Sequence, residues 1–153
     1  ARKQGIIDLI GFSAHSPQAA LAAMREFDFD TILYPVNFCC HFQGSFSQEV
    51  LAEAQKRNMG ILALKAMAKQ KWQNDEDRKA YPKCWYEPIS EPQIASLALR
   101  WTLSQGVTAA IPPGEEQLFR MALAIAAAYK DLSADELSIL EKRSIDLQHI
   151  FSA

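Results

Sequence analysis

The chain has 153 residues, of which 49% are hydrophobic and 22% are charged, and its formal net charge is −2. This composition is typical of a folded globular domain and excludes an intrinsically disordered chain. The length suffices for a single domain, residues 1–153, with a substantial core. Lys and Arg are scattered and no apolar run could cross a bilayer, so we expect neither a nucleic-acid partner nor a membrane partner.

The first segments predict a helix end, a strand and a new helix. Residues 1–5 resemble the last turn of a helix, with basic side chains and a closing glycine, so we expect a longer protein that continues upstream. Residues 6–12 are an apolar run with one charge, which predicts a strand buried on both faces. Ser16 and Pro17 have the N-cap and N1 pattern of a helix that runs to about Glu26.

The middle of the chain continues this alternation. Residues 31–37 are a second predicted strand, and Ser47 can cap a helix that runs to about Arg57. Residues 60–64 are a third strand. The irregular stretch 66–91 is too long for an ordinary connection, and loops of that length are usually functional or mobile.

The last segments complete four strand–helix units. We predict a helix at about residues 90–105, a strand at 107–111 and a helix at about 115–129. Ser133 and Glu136 then form a capping box that starts a final helix outside the repeating unit.

Strands that alternate with helices at this spacing indicate a parallel sheet with right-handed crossovers. The glycine-rich phosphate loop of a doubly wound dinucleotide-binding fold follows none of the strands. A complete (β/α)₈ barrel needs about 250 residues, so four units fit one half of it. The predicted fold class is therefore α/β, a parallel (β/α)₄ half of a TIM-type barrel with an additional C-terminal helix.

Three cysteines, Cys39, Cys40 and Cys84, cannot all pair within one chain. Reduced thiols in a cytoplasmic protein are the simpler interpretation. The run Cys39-Cys40-His41 suggests a metal site, but adjacent residues at a strand end point to opposite faces, and the sequence has no second cluster to complete the ligand set. We expect packing here and no metal centre.

The strand ends carry a family resemblance. In barrels, functional side chains lie at the carboxyl ends of the strands. The sequence resembles the aldo-keto reductases in five short motifs that occur in the family's order: Ile-Gly-Phe-Ser at 10–13, Pro-Val-Asn at 35–37, Met-Gly-Ile-Leu-Ala-Leu-Lys at 59–65, Leu-Ala-Leu-Arg-Trp at 97–101 and Ala-Ile-Pro at 110–112. The resemblance covers roughly residues 1–130 and implies the C-terminal half of the barrel, strands five to eight.

This resemblance implies a cradle for a nicotinamide cofactor. Ser13 and Asn37 match the positions that hold the nicotinamide carboxamide. Leu64 stands where an aromatic residue usually stacks on the nicotinamide, and Lys65 could offer a charge to a phosphate or a substrate. His15 is either a cofactor contact or a locally bonded residue at a helix start. The family's Asn after the serine and Gln after the asparagine are replaced here by Ala14 and Phe38.

The last strand end bears on the choice between NADP and NAD. The family often places Lys and Ser, and then Arg, around the 2′-phosphate of NADP. Pro113 and Gly114 stand at these positions here, two glutamates follow, and Arg120 is the nearby cation. A helix N-terminus attracts anions, but two carboxylates in its first turn compete for the site. The resemblance favours NADP, whereas the local charge favours NAD.

No catalytic residue is predicted. The resemblance implies an Asp, Tyr, Lys and His tetrad, which belongs to the half of the barrel that this sequence does not match. One hypothesis is therefore the C-terminal part of an NAD(P)H-dependent aldo/keto oxidoreductase, which acts on a small-molecule carbonyl together with the N-terminal half. The alternative is a non-catalytic, stand-alone half-barrel with a structural or binding role, stabilised by homodimerisation.

Overall fold

The computed structural model describes residues 1–44 and 46–151, and these residues form alternating strands and helices. The strands are β1 (Gly11–Ser13), β2 (Thr31–Pro35), β3 (Gly60–Leu64), β4 (Ala68–Gln70), β5 (Glu87–Pro88) and β6 (Ala109–Ala110). The α-helices are α1 (Pro17–Glu26), α2 (Phe38–Gly44), α3 (Gln48–Lys56), α4 (Asp75–Arg78), α5 (Pro92–Ser104), α6 (Glu116–Ala127) and α7 (Ala134–Ile145). Within these residues, no helix has the length and apolar character needed to cross a membrane.

Four of the strands form one parallel sheet in the order β1-β2-β3-β6, and β4 and β5 form a separate antiparallel pair. The neighbouring strands of the larger sheet follow one another along the chain, as they do in a barrel. The predicted α/β fold class and parallel sheet are confirmed.

The two faces of this sheet differ in burial. Ile32 of β2 lies opposite Ile61 of β3, and both are fully buried. Leu33 and Leu62, one residue further along each strand, also lie opposite each other but are only partly buried. Because successive side chains point to opposite faces, one face is covered and the other is partly open.

Two of the three predicted serine caps are confirmed, at Ser16 and Ser133. The third is wrong: Ser47 precedes α3, but its side chain makes no capping bond, and its buried Oγ has no hydrogen-bond partner among the described residues. Ser16 Oγ accepts a hydrogen bond from the Ala19 N–H at 3.1 Å, and Pro17 follows as the first helical residue. At the start of α7, Ser133 Oγ accepts from the Glu136 N–H, and the Glu136 carboxylate accepts from the Ser133 N–H. These bonds satisfy backbone donors that a helix start leaves open.

The first predicted strand is wrong in extent and burial. Only Gly11–Ser13 is a strand, while Ile6 and Leu9 are 70% and 65% exposed. In the described part of the chain, β1 pairs with β2 alone, so it is an edge strand. Before β1, Ile10 alone among the described residues bonds through its backbone to the segment that leads into β2. Its N–H donates to the Asp30 carboxylate, and its carbonyl accepts from the Asp30 N–H.

Further corrections concern other element boundaries. The second strand ends at Pro35, and the helix α2 begins three residues later, so Cys39-Cys40-His41 is helical and does not lie at a strand end. The stretch 66–91 contains β4, α4 and β5. The fourth strand is reduced to Ala109–Ala110, and α6 is shorter at both ends than the predicted helix 115–129. Asn37 accepts from the Cys40 N–H at 3.1 Å and thereby starts α2.

Candidate functional site at the carboxyl ends of the strands

The parallel sheet brings the carboxyl ends of β1, β2, β3 and β6 to one edge. Ser13 ends β1, Asn37 follows β2 by two residues, Lys65 directly follows β3, and Gly114 lies four residues after β6. We call this edge the strand-end site. The Ser13 side chain is exposed at this edge, whereas the Asn37 side chain is buried beneath it.

The polar atoms of the Asn37 side chain make hydrogen bonds within the protein. Its side-chain amide donates to the Lys65 carbonyl at 3.0 Å and to the Ala68 carbonyl at 2.8 Å, and its carbonyl accepts from the Cys40 N–H. The side chain is only 1% exposed. An amide has two donor hydrogens, and both are occupied here. Asn37 therefore ties the start of α2 to the turn between β3 and β4.

Lys65 adopts a backbone conformation that is unusual for a residue with a side chain. Its φ is 68°, in the left-handed region. Its Nζ lies 4.7 Å from the ring centroid of Tyr86 and 5.2 Å from that of Trp85. Burial lowers the pKa of this amine, and the neighbouring Cys84 opposes the shift. The site therefore holds an ammonium or amine group against two aromatic rings.

Residues 146–151, which follow α7, reach the strand-end site, and we call this segment the tail. The ring of Phe151 lies 5.5 Å from that of His15, 5.6 Å from that of Phe46, and 6.0 Å from that of Trp85, between centroids. Ile150, the preceding residue, is 7% exposed. An aromatic ring of this chain thus occupies the space beside His15 and covers part of the predicted cofactor cradle.

Side chains of α2 anchor this tail. Gln43 donates to the Leu147 carbonyl at 2.7 Å, and its side-chain carbonyl lies 2.6 Å from His149 Nδ1. The backbone of Ile150 and Phe151 lies beside the buried Cys40 thiol. The aromatic contributions of Phe46, Trp85 and Phe151 are not predictable from the sequence, because no local spacing relates residues so far apart in the chain.

The loop that contains Lys83 contacts the segment after β6. The Glu115 carboxylate, 9% exposed, accepts a hydrogen bond from the Lys83 N–H at 2.6 Å. A Cβ added at Gly114 would lie 3.6 Å from Lys83 Cβ, an ordinary contact distance, so Lys83 lies beside this exposed glycine. Arg120 pairs with Glu116 at 2.8 Å on the exposed surface of α6. The α6 N-terminus thus carries a carboxylate, and Arg120 is held by another.

The remaining predicted positions contribute apolar surface. Leu64 ends β3 opposite Pro35 and is partly buried, and Pro113 is buried.

Among residues 1–44 and 46–151, no group of three or more His, Cys, Asp or Glu side chains could hold a metal ion. Burial raises the pKa of the Cys39 thiol to about 12, so this group stays protonated.

Comparison with known proteins gives structural neighbours only. No family model matches the chain, and no curated protein matches it. A thermostable aldo-keto reductase, solved with the inhibitor epalrestat, is 17% identical with a TM-score of 0.55, over 93% of this chain and 50% of that chain. An aldo-keto reductase from Bacillus halodurans in its holo form is 13% identical with a TM-score of 0.57, over 97% and 52%. The glycerol dehydrogenase from Gluconobacter oxydans is 21% identical with a TM-score of 0.54, over 93% and 50%.

The chain spans about half the length of each of these structures. Identities this low establish a shared fold and leave activity to be argued from the site. The parallel strand order β1-β2-β3-β6 agrees with that likeness. The chain therefore has the fold of one half of an aldo-keto reductase barrel.

Proposed function

We propose that this chain belongs to the aldo-keto reductases and forms the C-terminal, cofactor-holding part of an NAD(P)H-dependent oxidoreductase. One observation carries the proposal: the motif residues Ser13, Asn37 and Lys65 lie at or just after the carboxyl ends of three neighbouring parallel strands and so share one edge. That edge is where (β/α)₈ enzymes hold their ligands. The substrate class is a small carbonyl compound, and the catalytic groups belong to the N-terminal half.

The residues present fit a nicotinamide ring better than a 2′-phosphate. Ser13 has an exposed hydroxyl that could bond a carboxamide, whereas Asn37 acts by positioning the turn at Lys65. Arg120 is paired with Glu116, and Glu115 places a carboxylate at the α6 N-terminus, where it opposes an additional phosphate. We therefore favour NAD over NADP. When bound, the nicotinamide cofactor supplies the hydride for carbonyl reduction.

A binding experiment on this chain tests the proposal. Titration with NADH and NADPH, followed by energy transfer from tryptophan to the reduced nicotinamide, is expected to show saturable binding with NADH preferred. Ser13→Ala should weaken it about fivefold, the value of one lost hydrogen bond. Ser104→Ala, exposed at the opposite end of the sheet, should leave it unchanged. Absence of saturable binding, or equal affinities in the two variants, contradicts the proposal.

The alternative is a stand-alone half-barrel that binds a second copy of itself. Apolar side chains are exposed next to both edge strands, with Leu9 65% exposed before β1, and Ile111 40% and Leu123 54% exposed after β6. Exposed edges and apolar patches of this kind favour association. Two copies would place the β1 edge of each beside the β6 edge of the other. Sedimentation equilibrium tests this alternative. A stand-alone half-barrel requires a dimer, and a stable monomer contradicts it.

A cytoplasmic location belongs to the same proposal. Cys39, Cys40 and Cys84 are all buried free thiols in the structure. Thiols persist in reducing compartments. Alkylation of intact cells followed by mass mapping of the three cysteines is expected to find them reduced, and a disulfide involving any of them would contradict this location.

A further inference from the structure

The tail is attached to the rest of the molecule mainly from its exposed side. Residues 146–151 belong to no helix or strand. Gln43 donates to the Leu147 carbonyl at 2.7 Å and lies 2.6 Å from His149 Nδ1. The Gln148 N–H donates to the Gln70 side chain at 3.4 Å. Hydrogen bonds at exposed positions compete with water and contribute little net stability, so a segment held in this way opens locally at a small free-energy cost.

The tail places the Phe151 ring in a slot that is lined by three other rings. Phe151 stacks nearly parallel on Phe46, with 17° between the planes and 5.6 Å between the centroids. His15 flanks the Phe151 ring at 5.5 Å, and Trp85 meets it edge-on at 6.0 Å and 71°. The three wall residues come from three separate segments of the chain. We call the space that the Phe151 ring fills the ring slot.

The walls of the ring slot have supports that do not involve the tail. Phe46 is 2% exposed and stacks on the fully buried Tyr34, at 14° and 5.5 Å. The Tyr34 hydroxyl donates to the Phe46 carbonyl at 3.2 Å. Trp85 lies edge-on to Tyr86, which is 6% exposed. Displacement of the tail would therefore leave the walls standing and open a space of the size of one aromatic ring.

We propose that the ring slot is a binding site for a planar aromatic ring of a ligand, and that the tail is an autoinhibitory strap whose Phe151 fills this site. One parallel and one edge-on neighbour are the arrangements that aromatic rings prefer, so the slot suits another flat ring as well as it suits Phe151. The two rings compete for one space. The apparent affinity for the ligand is therefore reduced in proportion to the fraction of molecules in which the tail is open.

This inference goes beyond the cofactor proposal. Phe46 and Trp85 are not among the predicted cofactor positions, and the competition does not depend on what the ligand carries besides its flat ring.

Indole, a planar and uncharged ring system, tests the inference on the intact chain. Equilibrium dialysis is expected to show saturable binding of indole, about tenfold tighter to Phe151→Ala than to the wild type, because loss of the Phe151 ring leaves the tail open more often. Phe119→Ala removes a ring that is 43% exposed on α6 and should bind indole as the wild type does. Equal affinities of the wild type and Phe151→Ala, or no saturable binding to either, overturn the proposal.

Further measurements separate release of the tail from a change in the slot. Gln43→Ala removes polar contacts of the tail, leaves the three wall rings in place, and should also tighten indole binding. His15→Ala removes one wall and should weaken binding when it is combined with Phe151→Ala. Saturating indole should speed alkylation of Cys40 in the wild type, because the backbone of Ile150 and Phe151 then leaves this buried thiol.

Binding of indole without a change in the Cys40 rate would show that the ring and the tail coexist, which contradicts an autoinhibitory strap. The measurements involve no nicotinamide, so their outcome is independent of the cofactor titration.

Discussion

At the scale of single residues, Arg100 shows how a charge is accommodated in the core. It is 4% exposed, yet it donates two hydrogen bonds to the Glu136 carboxylate and others to the backbone carbonyls of Lys130 and Asp131. A buried guanidinium needs this degree of satisfaction, because an unpaired buried charge is strongly destabilising. The same glutamate completes the capping box of α7. One carboxylate thus joins α5 to the start of the final helix.

The stability of the protein should therefore depend on pH through Glu136. Arg100 lowers the pKa of this carboxyl to about 2, below its ordinary value of about 4.3. Its stabilisation is present above the ordinary value and is lost as the pH falls from about 4 towards 2, because only the unfolded chain takes up the proton there. Urea unfolding at a series of pH values should show this loss in the wild type and a smaller loss in Glu136→Gln.

The matched control for this experiment is Glu141→Gln, an exposed position on the same helix. Its pH profile should follow the wild type. Parallel profiles for Glu136→Gln and the wild type below pH 5 would show that Arg100 does not hold Glu136 as described.

At the scale of elements, the segment after α7 links the last helix to the strand ends. Gln43 bonds the Leu147 carbonyl, Ile150 is buried, and Phe151 packs among rings from three other parts of the chain. Any flat ligand beside His15 would have to share this space with Phe151. The tail is therefore a determinant of access to the strand-end site.

Removing the ring should loosen the tail measurably. Phe151→Ala loses ring contacts worth about 1.4 kcal/mol, which corresponds to about tenfold more frequent opening. The Cys40 thiol lies beneath this segment and is 1% exposed. Its alkylation rate, followed by mass mapping, is expected to rise about tenfold, while Phe119→Ala on α6 should have no effect. An unchanged rate in Phe151→Ala would mean that Phe151 does not secure the tail.

At the scale of the whole molecule, the sheet has two edges and a partly open face. Leu33 and Leu62 are only partly buried on that face, although the opposite face of the same strands is fully buried. In a closed barrel such side chains fill the interior. Under the first proposed function, the N-terminal half of the barrel covers this face. Under the alternative, a second copy of the chain covers it.

A charge at the β6 edge should weaken that association. If the half-barrel pairs with a second copy, Ile111→Lys should shift the chain towards the monomer, because a charged side chain at an edge opposes pairing. Glu49→Lys, on the exposed surface of α3, is the control and should not change the molar mass from light scattering. Equal association of the wild type and Ile111→Lys would place the contact elsewhere.

Much of the strand-end site was predictable as a set of positions, but not as a set of contacts. The motif order predicted that Ser13, Asn37 and Lys65 lie near the ends of successive strands, and they do, although β2 ends at Pro35 and not at Asn37 as predicted. The inward turn of Asn37, the pairing of Glu115 with Lys83 and the approach of Phe151 depend on segments at least 28 residues apart. Nothing local in the sequence specifies such partners.

The sequence by itself determined the features that depend on near neighbours: the caps at Ser16 and Ser133, the third strand and the alternation of strands with helices. Only the tertiary structure decided how long β1 and β6 are, how α2 begins, and which side chains occupy the strand ends. The physical reason is the range of the interactions. A cap is satisfied within one turn of helix, whereas a strand extends only as far as its neighbour pairs with it, and burial is set by the whole molecule.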